Sequence, residues 1–130
     1  MAVEIHHLAW AIVLGVAQLL LAAGLVTRQR GLAWNAGSRD QPMAPASGVA
    51  GRAERAFRNF LETFPLFAAA VLALLASGRA DAGTALGAQL YFWARLAYLP
   101  LYLAGVPYVR SLAWAASMAG FAMVLWPLLH

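Results

Sequence analysis

The stretch ERAFRNFLETFP, residues 54–65, places polar side chains at the point where a strongly apolar segment begins. Arg55, Arg58, Asn59 and Glu62 follow one another at i, i+3, i+4 and i+7, so a helix would carry all four on one face. The sequence continues as PLFAAAVLALLA, residues 65–76, which is as apolar as a lipid-facing helix. The stretch therefore predicts a membrane helix that begins with a polar stripe. Charged groups in a membrane helix cost free energy, so they usually face the interior of a helix bundle or a polar cavity.

The composition fits only a membrane protein. The chain has 130 residues, enough for a single domain over residues 1–130, and 63% of them are hydrophobic while 11% are charged. Soluble domains have roughly 25% charged residues. Cysteine is absent, which excludes disulfides and thiolate metal sites. The net charge of +4 comes from nine arginines and no lysine, and they form no soluble basic surface, so no nucleic-acid partner is expected.

Four apolar segments predict an all-α integral membrane protein with a four-transmembrane-helix bundle. The first apolar run, residues 8–26, meets the length of roughly 20 residues that a bilayer requires. It does not resemble a cleavable signal peptide, because Glu4 precedes it and no lysine or arginine does. Asp81 is suited to cap the third helix, and Pro107 to open the fourth. The predicted helices cover about residues 5–29, 47–77, 81–104 and 107–128.

The connections between these helices predict the orientation. Residues 31–47, GLAWNAGSRDQPMAPAS, form the long polar loop, and the other two connections are tight turns. Most arginines lie at the side of this loop: Arg28, Arg30, Arg39, Arg52, Arg55, Arg58 and Arg110. Arg79 alone marks the other side. The positive-inside rule then places the loop in the cytoplasm and both termini outside.

The polar stripe of residues 54–65 has two interpretations. The first turns of the helix are long enough to reach the headgroups, so Arg52 and Glu54 fit solvated, snorkelling positions. Glu62 lies about 6 Å deeper than Arg58 at 1.5 Å per residue. It either lines a functional polar cavity, or forms an i, i+4 pair with Arg58 that only holds helices together.

The third and fourth helices favour a polar pocket. In RLAYLPLY, residues 95–102, Arg95, Tyr98 and Tyr102 lie on one helical face. PYVRS, residues 107–111, puts Arg110 and Ser111 in the first turns of the last helix. A cation there opposes the helix dipole, which indicates an anionic partner.

RAFRNFLETFP resembles the second-helix signature of the MAPEG family, the membrane-associated proteins in eicosanoid and glutathione metabolism. RLAYLPLYLAG with the later RS is similar to the third-to-fourth helix region of that family, and AGSRDQP, residues 36–42, resembles the loop of bacterial members. The resemblance implies a homotrimer of four-helix subunits in the lipid bilayer of a bacterial inner membrane. Glutathione would be the co-substrate, held in pockets between subunits that open to the cytoplasm, with the termini periplasmic.

The resemblance also implies roles for individual residues. Glutathione-binding positions of the family match six residues on the second and third helices: Arg55, Arg58, Asn59, Glu62, Tyr98 and Tyr102. Arg95 shares the face of the two tyrosines and is added to this set. Arg110 matches an arginine credited with stabilising the glutathione thiolate, and Ser111 matches the serine beside it in prostaglandin E synthase. Either Arg28 or Arg30 matches a first-helix arginine that also reaches glutathione.

Two functions follow from these observations. One is a glutathione-dependent transferase or peroxidase that activates the thiol for attack on hydrophobic electrophiles or lipid hydroperoxides. The alternative is a non-catalytic lipid-binding or scaffolding membrane trimer, and Arg110 favours the enzyme. Tyr98 stands where prostaglandin E synthase has histidine, and Thr63 where the leukotriene-conjugating synthase has tyrosine, which argues against either eicosanoid activity. No metal site is predicted, since the three histidines lack ligand spacing: His6, His7 and His130.

Overall fold

The structure, a computed structural model, describes residues 1–40 and 43–130, and within these ranges all regular secondary structure is helical. Gln41 and Pro42, which belong to the AGSRDQP motif, lie outside the described residues. The helices are α1 (Val3–Arg30), α2 (Leu32–Ala36), α3 (Gly48–Ser77), α4 (Ala82–Leu103) and α5 (Pro107–Leu129). The bounds of the four long helices lie within two residues of those predicted from the sequence.

Three of the long helices in the described part of the chain are long and apolar enough to cross a membrane. They are α1, α3 and α5, whose most apolar segments have mean hydropathies of 2.2, 1.9 and 1.7. The helix α4, which contains Gln89, Arg95 and three tyrosines, is not among these candidate spans. The all-α prediction is confirmed, and the apolar helices indicate an integral membrane protein.

Local sequence signals determine where the helices begin and end. Asp81 caps α4 as predicted: its Oδ1 accepts from the Thr84 backbone N–H at 2.9 Å, and the Thr84 hydroxyl accepts from the Asp81 N–H at 2.8 Å. Pro107 lies in the first turn of α5, where a missing N–H costs nothing. Gly78 ends α3 with φ of 71°, a left-handed conformation that glycine adopts without strain.

The predicted polar loop at residues 31–47 differs from the structure, because it contains the short helix α2. Gly31, with φ of 98°, ends α1 and changes the direction of the chain. The guanidinium groups of Arg30 and Arg39 then pack on the ring of Trp34, at 4.7 and 4.6 Å from its centroid. These contacts fold the segment back on itself, which a count of its polar residues could not indicate.

The apolar core lies between α1, α3 and α4, with α5 closing one side. Phe67 of α3 stacks on Tyr91 of α4, with ring centroids 3.9 Å apart. The helices α4 and α5 approach so closely that a Cβ added to Gly87 would lie 2.7 Å from the Gly120 carbonyl oxygen. Small residues at this crossing allow the two backbones to touch, as in many membrane helix pairs.

A buried polar contact joins the beginning of α1 to the beginning of α4. Glu4 is only 3% exposed, and its Oε2 accepts a hydrogen bond of 2.6 Å from the Thr84 hydroxyl. At the same end of the bundle, Arg79 donates to the Pro127 carbonyl oxygen at 3.0 Å. From the sequence, Glu4 is only part of an N-terminal segment. Its partner lies 80 residues away, beyond the reach of any helical spacing.

Candidate functional site

A polar cavity opens between α3, α4 and α5. Its volume of about 420 Å³ lies within the range of small-molecule pockets, roughly 300–1,000 Å³. Nine residues line it: Arg55, Arg58, Asn59, Glu62, Tyr98, Tyr102, Arg110, Ser111 and Trp114. Eight of these nine are residues that the sequence singled out, and three different helices supply them.

The α3 residues reach the cavity because this helix has two distinct faces. Ala53, Ala56 and Phe60 are buried in the bundle. The opposite face presents Arg55, Arg58 and Glu62, which are exposed in the single chain. Burial of one face therefore orients the polar stripe towards the cavity.

The α4 and α5 residues form a second wall, in which two neighbouring tyrosine rings each contact a guanidinium group. The rings of Tyr98 and Tyr102 lie 5.5 Å apart at 59°. The Arg110 guanidinium carbon lies 4.5 Å from the Tyr102 centroid, and that of Arg95 lies 4.4 Å from the Tyr98 centroid. Cation–π attraction holds each guanidinium in place against its ring.

Ser111 and Trp114 complete the α5 side of the cavity. The Ser111 hydroxyl donates to the Pro107 carbonyl oxygen at 3.2 Å, which leaves its oxygen free to accept. Trp114 is not among the residues that the sequence singled out. It lies four residues after Arg110, on the same helical face, so the spacing could have identified it.

Three of the residues proposed from the sequence do not line this cavity in the single chain. Arg28 is exposed near the end of α1, and Arg30 donates to the Ala44 carbonyl oxygen at 2.7 Å. Arg95 is 1% exposed and lies behind the cavity wall, where its Nη1 donates to Asn59 Oδ1 at 2.9 Å. The Thr63 hydroxyl contacts the Tyr91 hydroxyl at 3.0 Å.

The charges around the cavity define its chemistry. Three guanidinium groups, those of Arg55, Arg58 and Arg110, surround it together with the single carboxylate of Glu62. Guanidinium groups bind carboxylates through two parallel hydrogen bonds. The cavity is thus suited to an anionic ligand that also carries one cationic group. No group of three or more metal-ligating side chains occurs within residues 1–40 and 43–130.

Comparison with known proteins identifies the family. The model of the MAPEG family matches residues 7–130, nearly the whole chain. The chain belongs to the MAPEG family. Comparisons with curated proteins and with solved structures return no match.

MAPEG membership confirms the resemblance that the α3 and α4 motifs indicated. The family is associated with glutathione and includes transferases and peroxidases as well as members without catalysis. The matched region contains the whole cavity, from Arg55 to Trp114. The chain is therefore a membrane protein of a family that is associated with glutathione.

Proposed function

We propose that this MAPEG protein is a glutathione-dependent transferase or peroxidase that acts on hydrophobic electrophiles or lipid hydroperoxides. The observation that carries the proposal is the convergence of three helices on one cavity with three guanidinium groups and one carboxylate. Glutathione has the complementary set, two carboxylates and one ammonium group. In this proposal Arg55 and Arg58 bind its carboxylates, and Glu62 binds its ammonium group.

Arg110 is proposed to stabilise the glutathione thiolate. A fixed cation next to a thiol favours the charged form, and arginine cannot itself remove the proton. The contact of Arg110 with the Tyr102 ring supports the role, because it restricts the guanidinium to one side of the cavity. In this proposal the thiol proton passes to water, and the thiolate sulfur bonds to an electrophilic carbon as the leaving group departs. With a hydroperoxide, the sulfur bonds to the terminal oxygen as the O–O bond breaks and the alkoxide leaves as the alcohol after protonation. A second glutathione then reduces the resulting sulfenic acid, which gives glutathione disulfide and water.

The proposal includes a homotrimer of four-span subunits. Arg55, Arg58 and Glu62 are exposed in the single chain, and charged groups facing lipid would be costly. A neighbouring subunit would cover them, and its Arg28 or Arg30 would reach glutathione from outside the chain described here. The resemblance of AGSRDQP to the loop of bacterial members supports a bacterial inner membrane, and the distribution of arginines supports a cavity on the cytoplasmic side.

The test is an ultraviolet difference titration of the purified protein with glutathione. Wild type is expected to show a saturable thiolate band, and Arg110→Ala to lose it and to turn over roughly 10²–10³-fold more slowly. Arg79→Ala is the matched control, since Arg79 lies at the opposite end of the bundle, where its side chain donates to the Pro127 carbonyl oxygen. Absence of a band, together with no binding by calorimetry, would reject the enzyme.

The oligomeric state of Glu62→Ala distinguishes the enzyme from the scaffold alternative. If Glu62 binds glutathione, this variant is expected to remain trimeric by light scattering while its glutathione affinity falls by at least tenfold. If the polar stripe only holds subunits together, the trimer dissociates in Glu62→Ala and Arg110→Ala has little effect.

A further inference from the structure

The starting observation is a buried arginine that touches the cavity wall without lining the cavity. Arg95 is 1% exposed, and its guanidinium lies against the rings of Tyr98 and Phe60, at 4.4 and 5.6 Å from their centroids. Its Nη1 donates to Asn59 Oδ1 at 2.9 Å, while Nε and Nη2 find no hydrogen-bond partner in the described residues. A buried cation is costly in a membrane helix, so its single directed hydrogen bond needs an explanation.

The contact determines which way the Asn59 carboxamide points. Arginine has five donors and no acceptor, so the Asn59 atom that faces it must be the oxygen and not the nitrogen. The Asn59 NH₂ group is then on the other side of the carboxamide. Asn59 itself lines the cavity, so this NH₂ group is what it can offer to a ligand.

We propose that Arg95 is a positioning residue that locks the Asn59 carboxamide with its NH₂ group facing the cavity. This part of the cavity therefore recognises a hydrogen-bond acceptor, either a carboxylate or a peptide carbonyl oxygen of the ligand. The proposal rests on the proposed function in taking glutathione as that ligand. It changes the role of Arg95 from ligand binding to orientation of a neighbour.

The aromatic contacts explain why an arginine holds this position. A planar guanidinium can stack against the Tyr98 ring while it directs an in-plane N–H at Asn59. A lysine ammonium has no plane to stack and no fixed donor direction. Arg95→Lys is therefore expected to keep the charge while it loses the fixed orientation of Asn59.

The binding test uses Asn59→Asp beside Arg95→Met, with glutathione titrated by calorimetry. The carboxylate introduced by Asn59→Asp would keep a partner for Arg95, so the thermal midpoint of this variant should equal or exceed that of wild type. The aspartate carboxylate would present only hydrogen-bond acceptors to the cavity, so glutathione should bind at least tenfold more weakly to Asn59→Asp than to wild type. Wild-type affinity in Asn59→Asp would overturn the proposal, since a merely structural contact predicts that result.

A double-mutant cycle separates positioning from direct binding. If Arg95 acts through Asn59, then adding Arg95→Met to Asn59→Ala should change the glutathione affinity less than twofold beyond Asn59→Ala alone. If Arg95 binds glutathione itself, the two losses should multiply. Multiplied losses would reject the positioning role.

An orientation measurement without ligand keeps the inference separate from the proposed function. The chain has two asparagines, Asn35 and Asn59, so [¹⁵N]asparagine labelling gives two side-chain amide signals, and Asn35→Gln assigns them. Arg95→Met should move the Asn59 NH₂ signals and leave those of Asn35 in place. Unmoved Asn59 signals would overturn the inference even if glutathione binds. Shifted signals without glutathione binding would support the orientation and reject the proposed ligand.

Discussion

The Thr84 hydroxyl makes contacts with two other residues, Asp81 and Glu4. The same oxygen completes the cap of α4 with Asp81 and donates to the buried carboxylate of Glu4. The sequence revealed the cap, because Asp81 lies directly before an apolar run. It did not reveal Glu4, since the two residues are brought together only by the packing of α1 against α4.

Replacing Thr84 with valine, which has nearly the same shape, is expected to destabilise the protein by about 1–3 kcal/mol. The change removes the donor to Glu4 and leaves a buried carboxylate oxygen without its partner. Thermal unfolding in detergent, followed by circular dichroism, measures the effect. Thr84→Ser keeps the hydroxyl and should unfold close to the wild-type temperature; equal losses in both variants would show that the methyl group matters instead.

The helices α4 and α5 are held together by backbone contact as well as by side chains. A Cβ on Gly120 would meet the Gly87 carbonyl oxygen at 2.5 Å and the Tyr91 backbone nitrogen at 2.6 Å. Because Tyr102 belongs to α4 and Arg110 to α5, the packing of these two helices also brings this cation–ring pair of the cavity together. Spacing along one helix predicts which residues share a face, and it cannot predict how near another helix comes.

Gly87→Ala is therefore expected to cost about 1–3 kcal/mol of stability, because the added methyl group would force α4 and α5 apart. Gly24→Ala in α1 is the matched control, since nothing lies within 4 Å of an added Cβ there. The control should be stabilised by about 0.5–1 kcal/mol through a lower helix entropy cost. Thermal midpoints in one detergent provide the comparison, and a wild-type midpoint for Gly87→Ala would contradict the close crossing.

The same reasoning explains what sequence could predict of the cavity. Periodicity placed Arg58 and Glu62 on one face of the second helix and Tyr102 on a polar face of the third. Arg110 was identified by its position in the first turns of the last helix, and the family resemblance joined these residues into one site. It assigned Arg95 to the same wall as Tyr98, since the two share a face of α4. Burial against Phe60 of α3 puts Arg95 behind that wall, and such depth depends on the neighbouring helix.

At the scale of the whole molecule, the arrangement separates two ends. One end of the bundle carries the polar cavity, and the other carries Glu4, Thr84 and Arg79. Most arginines lie at the cavity end, and the sequence therefore predicts that this end faces the cytoplasm. Orientation relative to a membrane is established when the protein is inserted, so it is measured in cells.

The cysteine-free chain allows that measurement with single substitutions. Ser38→Cys follows α2, and Ala80→Cys lies in the turn between α3 and α4; both positions are exposed. A membrane-impermeant maleimide is expected to label Ala80→Cys in spheroplasts and Ser38→Cys only after lysis. Labelling in the reverse order would show that the cavity opens to the outside.

The contact between Glu4 and Thr84 also sets an order of events during synthesis. Glu4 leaves the ribosome 80 residues ahead of the side chain that buries it. At a translation rate of about 5–20 residues per second, the carboxylate waits roughly 4–16 s for that partner. Because a carboxylate is costly inside the bilayer, we expect Glu4 to remain at the membrane surface during this interval. The beginning of α1 therefore reaches its final contact only after the beginning of α4 has been synthesised.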